Sequence, residues 1–331
     1  VTTIALLPDA SSPLDHATAR AAFDDMLDGK VPDDAIASFL LTMAERDETS
    51  IEIAAAARAL RARMIPVAAP AGTIDVCGTG GDGSHSLNIS TAVAIVVAAA
   101  GVPVAKHGNR AASSKAGAAD TLEALGLDLT RASGNAAESL GELGIAFLFA
   151  QAHHPALGRL APVRRAIGRR TIFNLVGPIS NPAGVTRQLI GVARPDYVHT
   201  YAEAIDLLGV EAAMVVSGDE PLDELSIAGP STIVRIGGCP AGEGRIVPED
   251  AGLRRYPLEA LRGGDATYNA AALRALLQGQ EGAYRDAVLL NAAAALMVAG
   301  DARDLRDGVA RAAEAIDDRS ADTLLDRWIA L

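Results

Sequence analysis

Asp75-Val-Cys-Gly-Thr-Gly-Gly-Asp-Gly-Ser-His-Ser-Leu-Asn-Ile-Ser-Thr91 runs from an apolar, strand-like segment through a turn into a long apolar stretch with helical character. The turn holds Gly78, Gly80, Gly81 and Gly83. Strand, glycine-rich turn and helix in succession are the building unit of an α/β fold. Glycines let backbone N–H groups close on an anion with no Cβ in the way. The dipole of a helix beginning near Ile89 favours the same charge. A plain turn before a helix uses one or two glycines, so four suggest a phosphate cradle. Ser90 and Thr91 read either as ordinary capping residues or as ligands.

A second stretch, Lys106-His-Gly-Asn-Arg-Ala-Ala-Ser-Ser-Lys115, follows another short apolar run. It crowds cations, amides and hydroxyls into what reads as a loop that grips something negative. The chain has only the lysines Lys30, Lys106 and Lys115, and two of them lie here. A compact ammonium is a different tool from a planar guanidinium. Unless the placement is chance, Lys106 or Lys115 is expected to meet a phosphate oxygen as a point charge.

The strand–loop–helix rhythm continues on both sides of these motifs. Strands are expected at 74–77, 102–105, 145–149, 189–192 and 212–216, with helices at 89–100, 118–125 and 197–208. Residues 226–238 read as a short antiparallel addition, and the rest as helix, with 292–299 apolar on every face and therefore buried. Upstream the pattern is helix only: 14–27 ending at Asp28-Gly29, 32–44 starting at Pro32, and 50–64 capped by Ser50. The expected fold class is α/β, with a small N-terminal all-α domain over 1–68 and a large α/β domain over 69–331. The latter holds a central, mainly parallel sheet flanked by helices. Pro66 and Pro70 mark the link, and a segment near 164–180 is expected to pack back on the helical unit.

Composition bounds the function. Half of the 331 residues are apolar but only 3% are aromatic, so the core is built of Ala, Val, Leu and Ile. The net charge of −12 argues against a nucleic-acid or membrane-surface binder, which carries a basic excess. Positive residues still cluster at 106–115 and at Arg164, Arg165, Arg169 and Arg170. The longest wholly apolar run, 92–105, is shorter than the roughly 20 residues that span a bilayer. Cys77 and Cys239 lack metal-like spacing; a disulfide between them stays open, but reduced thiols are expected. No charged n-region with a cleavage site opens the sequence, and a cytoplasmic protein is expected.

Gly78-Thr-Gly-Gly-Asp82, Asn88-Ile-Ser-Thr91 and Lys106-His-Gly-Asn-Arg110 resemble the signature segments of the anthranilate phosphoribosyltransferase family. Further blocks agree in order: Phe147-Leu-Phe, His154-Pro-Ala, Pro162-Val-Arg-Arg165, Arg170-Thr-Ile-Phe-Asn174, Gly177-Pro178, Asn181-Pro182 and Leu222-Asp-Glu-Leu225. The similarity covers almost the whole chain. It implies transfer of the phosphoribosyl group of 5-phosphoribosyl 1-pyrophosphate to the amine of anthranilate, within tryptophan biosynthesis. It also implies Mg2+, two ions per site, and a homodimer.

Carried over residue by residue, the resemblance implies a donor site of Gly78, Gly81, Asp82, Ser86, Asn88, Ile89, Ser90, Thr91, Lys106, His107, Gly108, Asn109, Arg110, Ala111, Ala112, Ser113, Ser114 and Ala118. It implies an acceptor site of Gly78, His107, Asn109, His154 and Arg164, and metal ligands Ser90, Asp223 and Glu224. The residues agree in part. Adjacent carboxylates such as Asp223 and Glu224 repel unless a cation lies between them, although surface acids are abundant here. Arg164 offers the planar fork that suits a carboxylate. Neither His107 nor His154 is needed as a general base, because an aryl amine is already neutral. Ala116-Gly117-Ala118 replaces the family's usual Ser-Gly-Ser and removes one hydroxyl from the donor side. Ser86 replaces a threonine and keeps the hydroxyl. A pyrimidine nucleoside phosphorylase would share the fold but lacks Lys-His-Gly-Asn-Arg; a non-catalytic nucleic-acid binder would need a basic channel.

Overall fold

The computed structural model describes residues 5–111, 115–220, 222–238 and 242–331. The chain opens with three helices, α1 (His16–Leu27), α2 (Asp33–Glu45) and α3 (Ser50–Arg61). Asp15 caps α1 by accepting from the N–H groups of Ala17 and Thr18. The cap of α3 is Thr49, one residue before the expected Ser50, because Glu52 reaches back to the Thr49 N–H and completes a capping box. Glu52 is fully buried and is paired with Arg46 at 2.5 Å.

The alternating part follows as β1 (Ile74–Gly78), α4 (Ile89–Ala99), β2 (Val104–Gly108), α5 (Ala118–Ala124), α6 (Leu129–Gly134), α7 (Ala136–Leu143) and β3 (Ile145–Phe149). Next come α8 (Ala150–His153), α9 (Pro155–Ile167), α10 (Ile172–Leu175), β4 (Arg187–Gly191), α11 (Val198–Leu207) and β5 (Ala212–Gly218). The hairpin β6 (Ser231–Gly237) and β7 (Gly242–Ile246) precedes α12 (Ala266–Leu277), α13 (Ala283–Ala299), α14 (Leu305–Asp317) and α15 (Ser320–Ala330). The strands form one sheet in the order β3-β2-β1-β4-β5-β6-β7. The pairs among β1 to β5 are parallel, while β6 and β7 are added antiparallel.

Strand residues alternate between two cores, as a period of two requires. Ile74, Val76, Leu189, Met214 and Val216 face α4, α13 and α15, whereas Cys77, Ile190, Ala213 and Val215 face α3 and α11. The N-terminal helices therefore complete the second core. Phe173 of α10 packs edge-on against Phe23 of α1, 6.1 Å between centroids. Arg61 Nε donates to Ile179 O at 2.7 Å, tying α3 to the 177–182 loop. The Cys77 thiol is buried beside Pro178 O, and Cys239 lies outside the described residues. Among the described residues no helix is long and apolar enough to cross a membrane.

Candidate active site

From β1 the chain steps to β2 and β3 on one side, then crosses to β4 and β5 on the other. The carboxyl ends of β1 and β4 thus flank the topological switch point, the usual ligand crevice of an open α/β sheet. Gly78 ends β1 and Gly191 ends β4, paired in register. The loop after β5 folds over both. A Cβ on Gly78 would strike the Asp223 carboxylate, and one on Gly191 would strike the Asp223 carbonyl. Two strand-end glycines therefore admit this acidic loop to the crevice.

The turn after β1 is built from left-handed glycines, with φ of 67° at Gly80, 69° at Gly81 and 77° at Gly83. Gly80 N–H donates to Asp223 Oδ2 at 2.6 Å. Asp82 holds Ser84 N–H at 3.1 Å and Ser84 Oγ at 2.8 Å. Ser86 pairs across an antiparallel bridge with Arg262, and Asn88 stands at the N-cap of α4. The Ile89 and Thr91 side chains are buried, so their backbone is what faces the turn.

Ser90 N–H donates to Glu224 Oε1 at 3.1 Å. Glu224 is buried, and burial together with Asp223 pushes its carboxyl well up; burial and Asp82 do the same to Asp223. Among the abundant acids of this sequence the pair is therefore unusual, Glu224 being buried and Asp223 partly so. Lys106 departs from expectation: it lies on β2, not in a loop, and is 3% exposed. Its Nζ donates to Val76 O at 2.8 Å and to Ser90 Oγ at 3.2 Å. It stands behind Ser90, and its charge holds Glu224 down against the push of burial. Two crowded carboxylates and a hydroxyl form a hard-oxygen donor set that fits Mg2+.

His107 follows on β2. Its Nδ1 lies 3.1 Å from Gly177 O, and its ring centroid is 5.1 Å from that of His154 at the start of α9. Burial, reinforced by His154, pushes the His107 imidazole down to about 3. Burial, with His153 adding to it, pushes His154 down to about 4. Both rings are neutral; His107 Nε2 has no hydrogen-bond partner among the described residues, and the His154 ring is turned to the Ser180 backbone. Asn109 Oδ1 accepts from Arg110 N–H at 2.8 Å and from Gln151 Nε2 at 3.4 Å. Arg164, in the last turn of α9, is partly buried and has no acidic partner among the described residues.

Asp120 ties Arg110 and Ala111 to Gly117. Its Oδ2 accepts from Ala111 N–H at 3.0 Å and Gly117 N–H at 2.9 Å, and its Oδ1 from Arg110 at 2.9 Å. A Cβ on Gly117 would collide with Ala111 N. Gly108 closes β2 against the Phe147 ring, and Ala118 opens α5 beside it. Ala112, Ser113 and Ser114 lie outside the described residues.

Residues 71–322 match the model of the glycosyl transferase family a/b domain, and residues 9–64 that family's helical bundle domain. The anthranilate phosphoribosyltransferase of Novosphingobium aromaticivorans is 62% identical over 325 residues, covering 98% of each chain. That of Sphingopyxis alaskensis is 61% identical over 98% of this chain and 97% of its own. This chain belongs to the anthranilate phosphoribosyltransferase family. A solved family member from Thermus thermophilus superposes with a TM-score of 0.92 at 43% identity, covering 97% of this chain and 96% of its own. The Saccharomyces cerevisiae enzyme, solved in complex with PRPP and Mg, gives 0.88 at 26% identity over 96% and 93%.

Sequence reading missed two residues that shape this site, Asp75 and Tyr284. Asp75 is fully buried beneath it, accepting from His107 N–H at 3.2 Å and Asn181 Nδ2 at 2.8 Å. Tyr284 on α13 donates to Asn88 O at 3.0 Å. An acid within the apolar run of β1 was the one available signal; Tyr284 gave none.

Proposed function

We propose that the switch-point cleft joins the amine of anthranilate to C1 of 5-phosphoribosyl 1-pyrophosphate, giving N-(5-phosphoribosyl)anthranilate and pyrophosphate for tryptophan biosynthesis. The new C1–N bond forms as the C1–O bond to pyrophosphate breaks, the leaving oxygen takes the bonding pair, and the amine sheds a proton. The observation that carries the reading is the arrival of Asp223 and Glu224, two crowded and partly or fully buried acids, against a glycine turn at a helix N-terminus.

In this reading the turn 78–83, Ser86, the 88–91 backbone and Asn88 hold the donor, together with Gly108, Asn109, Arg110, Ala111, Ala112, Ser113, Ser114 and Ala118. Ser90, Asp223 and Glu224 would hold Mg2+, two ions per site, whose charge would neutralise the pyrophosphate. Lys106 acts on the donor end through Ser90 and Glu224. His107, His154, Asn109, Gly78 and Arg164 form the acceptor side, with the Arg164 guanidinium pairing the anthranilate carboxylate. Neutral imidazoles fit hydrogen bonding to the amine, and positioning with electrostatics supplies the acceleration. We further assign the domain division to 68/69, a cytoplasmic location and a homodimer.

A pyrophosphate-release assay tests the reaction. Release should need donor, anthranilate and Mg2+ together. Cleavage of thymidine or uridine by phosphate, with no release from that mixture, would overturn the reading.

A further inference from the structure

The donor turn is held from behind by the C-terminal part of the chain. Leu87 N–H donates to Leu261 O and Gly263 N–H to His85 O, each at 2.8 Å. A Cβ on Gly263 would meet Ser86 O at 2.8 Å, so this crossing needs a glycine. Asn88 occupies the N-cap of α4, yet its side chain makes no capping bond. Its Oδ1 accepts instead from Thr121 Oγ1 at 2.6 Å and Asn269 Nδ2 at 2.9 Å.

Which way round the Asn88 amide lies follows from one backbone group. Gly264 N–H can only donate, and it meets Asn269 at 2.8 Å, so the atom there is Oδ1. Asn269 must then turn Nδ2 toward Asn88, which answers with Oδ1. Asn88 Nδ2 is sent the other way, with Ala116 O at 3.4 Å as its neighbour. Asn269 and Thr121 are both buried, so water does not compete for these bonds. Without them the amide could rotate and set its carbonyl, an acceptor, against phosphate and hydroxyl oxygens.

We propose that Asn269, together with Thr121, is a positioning residue that locks the Asn88 amide with its NH2 group presented to the phosphoribosyl donor. The inference rests on the reading that Asn88 touches the donor.

The test is a mutant cycle read by steady-state kinetics. Asn269→Leu, close to isosteric, should raise KM for the donor about five- to twentyfold, with KM for anthranilate unchanged. Thr121→Val, on a different helix, should shift donor KM in the same direction. In an Asn88→Ala background neither change should add further to donor KM. If Asn88→Ala alone leaves donor KM unchanged, the donor-contact reading falls and the positioning role with it. If Asn88→Ala raises donor KM but the other two do not, or their effects add in full, the positioning role alone is overturned. Should Asn269→Leu fail to fold, as judged by circular dichroism, Thr121→Val taken through the same cycle decides.

Discussion

Gly80 and Asp223, 143 positions apart, meet in a hydrogen bond of 2.6 Å from the Gly80 N–H to Asp223 Oδ2. The bond fastens the glycine turn of β1 to the acidic loop of β5 across the switch point. An amide of the proposed phosphate cradle and a carboxylate of the proposed metal set are therefore one unit.

Asp223→Asn with Glu224→Gln should lower turnover at limiting Mg2+ on the order of a hundredfold or more. The same double variant should melt higher than the parent in metal-free buffer at pH 8. Burial holds both carboxyls above their unfolded values, so their stabilising protonated form is lost as pH rises. Unchanged turnover at limiting Mg2+, or a lower melting temperature, would contradict the assignment.

The paired histidines predict an acid-side weakness of the opposite sign. Folded values of about 3 for His107 and about 4 for His154 lie below the unfolded 6.5. Stability is then complete above 6.5 and drains away as pH falls toward the folded values. Between pH 7 and 5 each ring should cost about 2 kcal/mol. Urea midpoints at the two pH values measure this, and His154→Gln should flatten the slope. An equal slope in the variant would mean that the ring is not held neutral.

Arg164→Ala and Lys106→Met should separate the two substrate ends. Loss of a charge-assisted pair is worth about 1.5–3 kcal/mol, so Arg164→Ala should raise KM for anthranilate roughly ten- to a hundredfold. Lys106→Met should instead raise the Mg2+ and donor requirement, because it strips Ser90 Oγ and Glu224 of their cation. Matching losses for both substrates in both variants would show the ends to be misassigned.

How much of this was legible in the sequence depends on the range of the interaction. β3 was readable to the residue, because Ile145–Phe149 is a bounded apolar run. Helices α6 and α7 were not, since helices of six and eight residues span too few turns for a period to stand out. Lys106 was read as a loop residue because a lysine in an apolar strand is rare; its partners, Val76 O and Ser90 Oγ, lie on other elements. The same holds for the acids. Asp223-Glu224 looks like a solvated dipeptide until Gly78 and Gly191 bring it under the strand ends, and no local pattern records that approach.

Gly191→Ala tests that approach directly. Its φ is unremarkable, so the penalty is steric: the methyl would push into the Asp223 carbonyl. Overpacking of this kind costs about 1–3 kcal/mol, and displacing Asp223 should weaken Mg2+ activation further. A variant with parental stability and parental Mg2+ dependence would show that the loop does not depend on this contact.

The most direct measurement is diffraction from crystals grown with the phosphoribosyl donor and Mn2+, using the anomalous signal to locate the metal. The account predicts metal peaks against Ser90, Asp223 and Glu224, with the diphosphate on the Gly78–Gly83 turn and the Asn88 amide toward the donor. Metal and diphosphate bound elsewhere, with those acids and the glycine turn left without contacts, would contradict it.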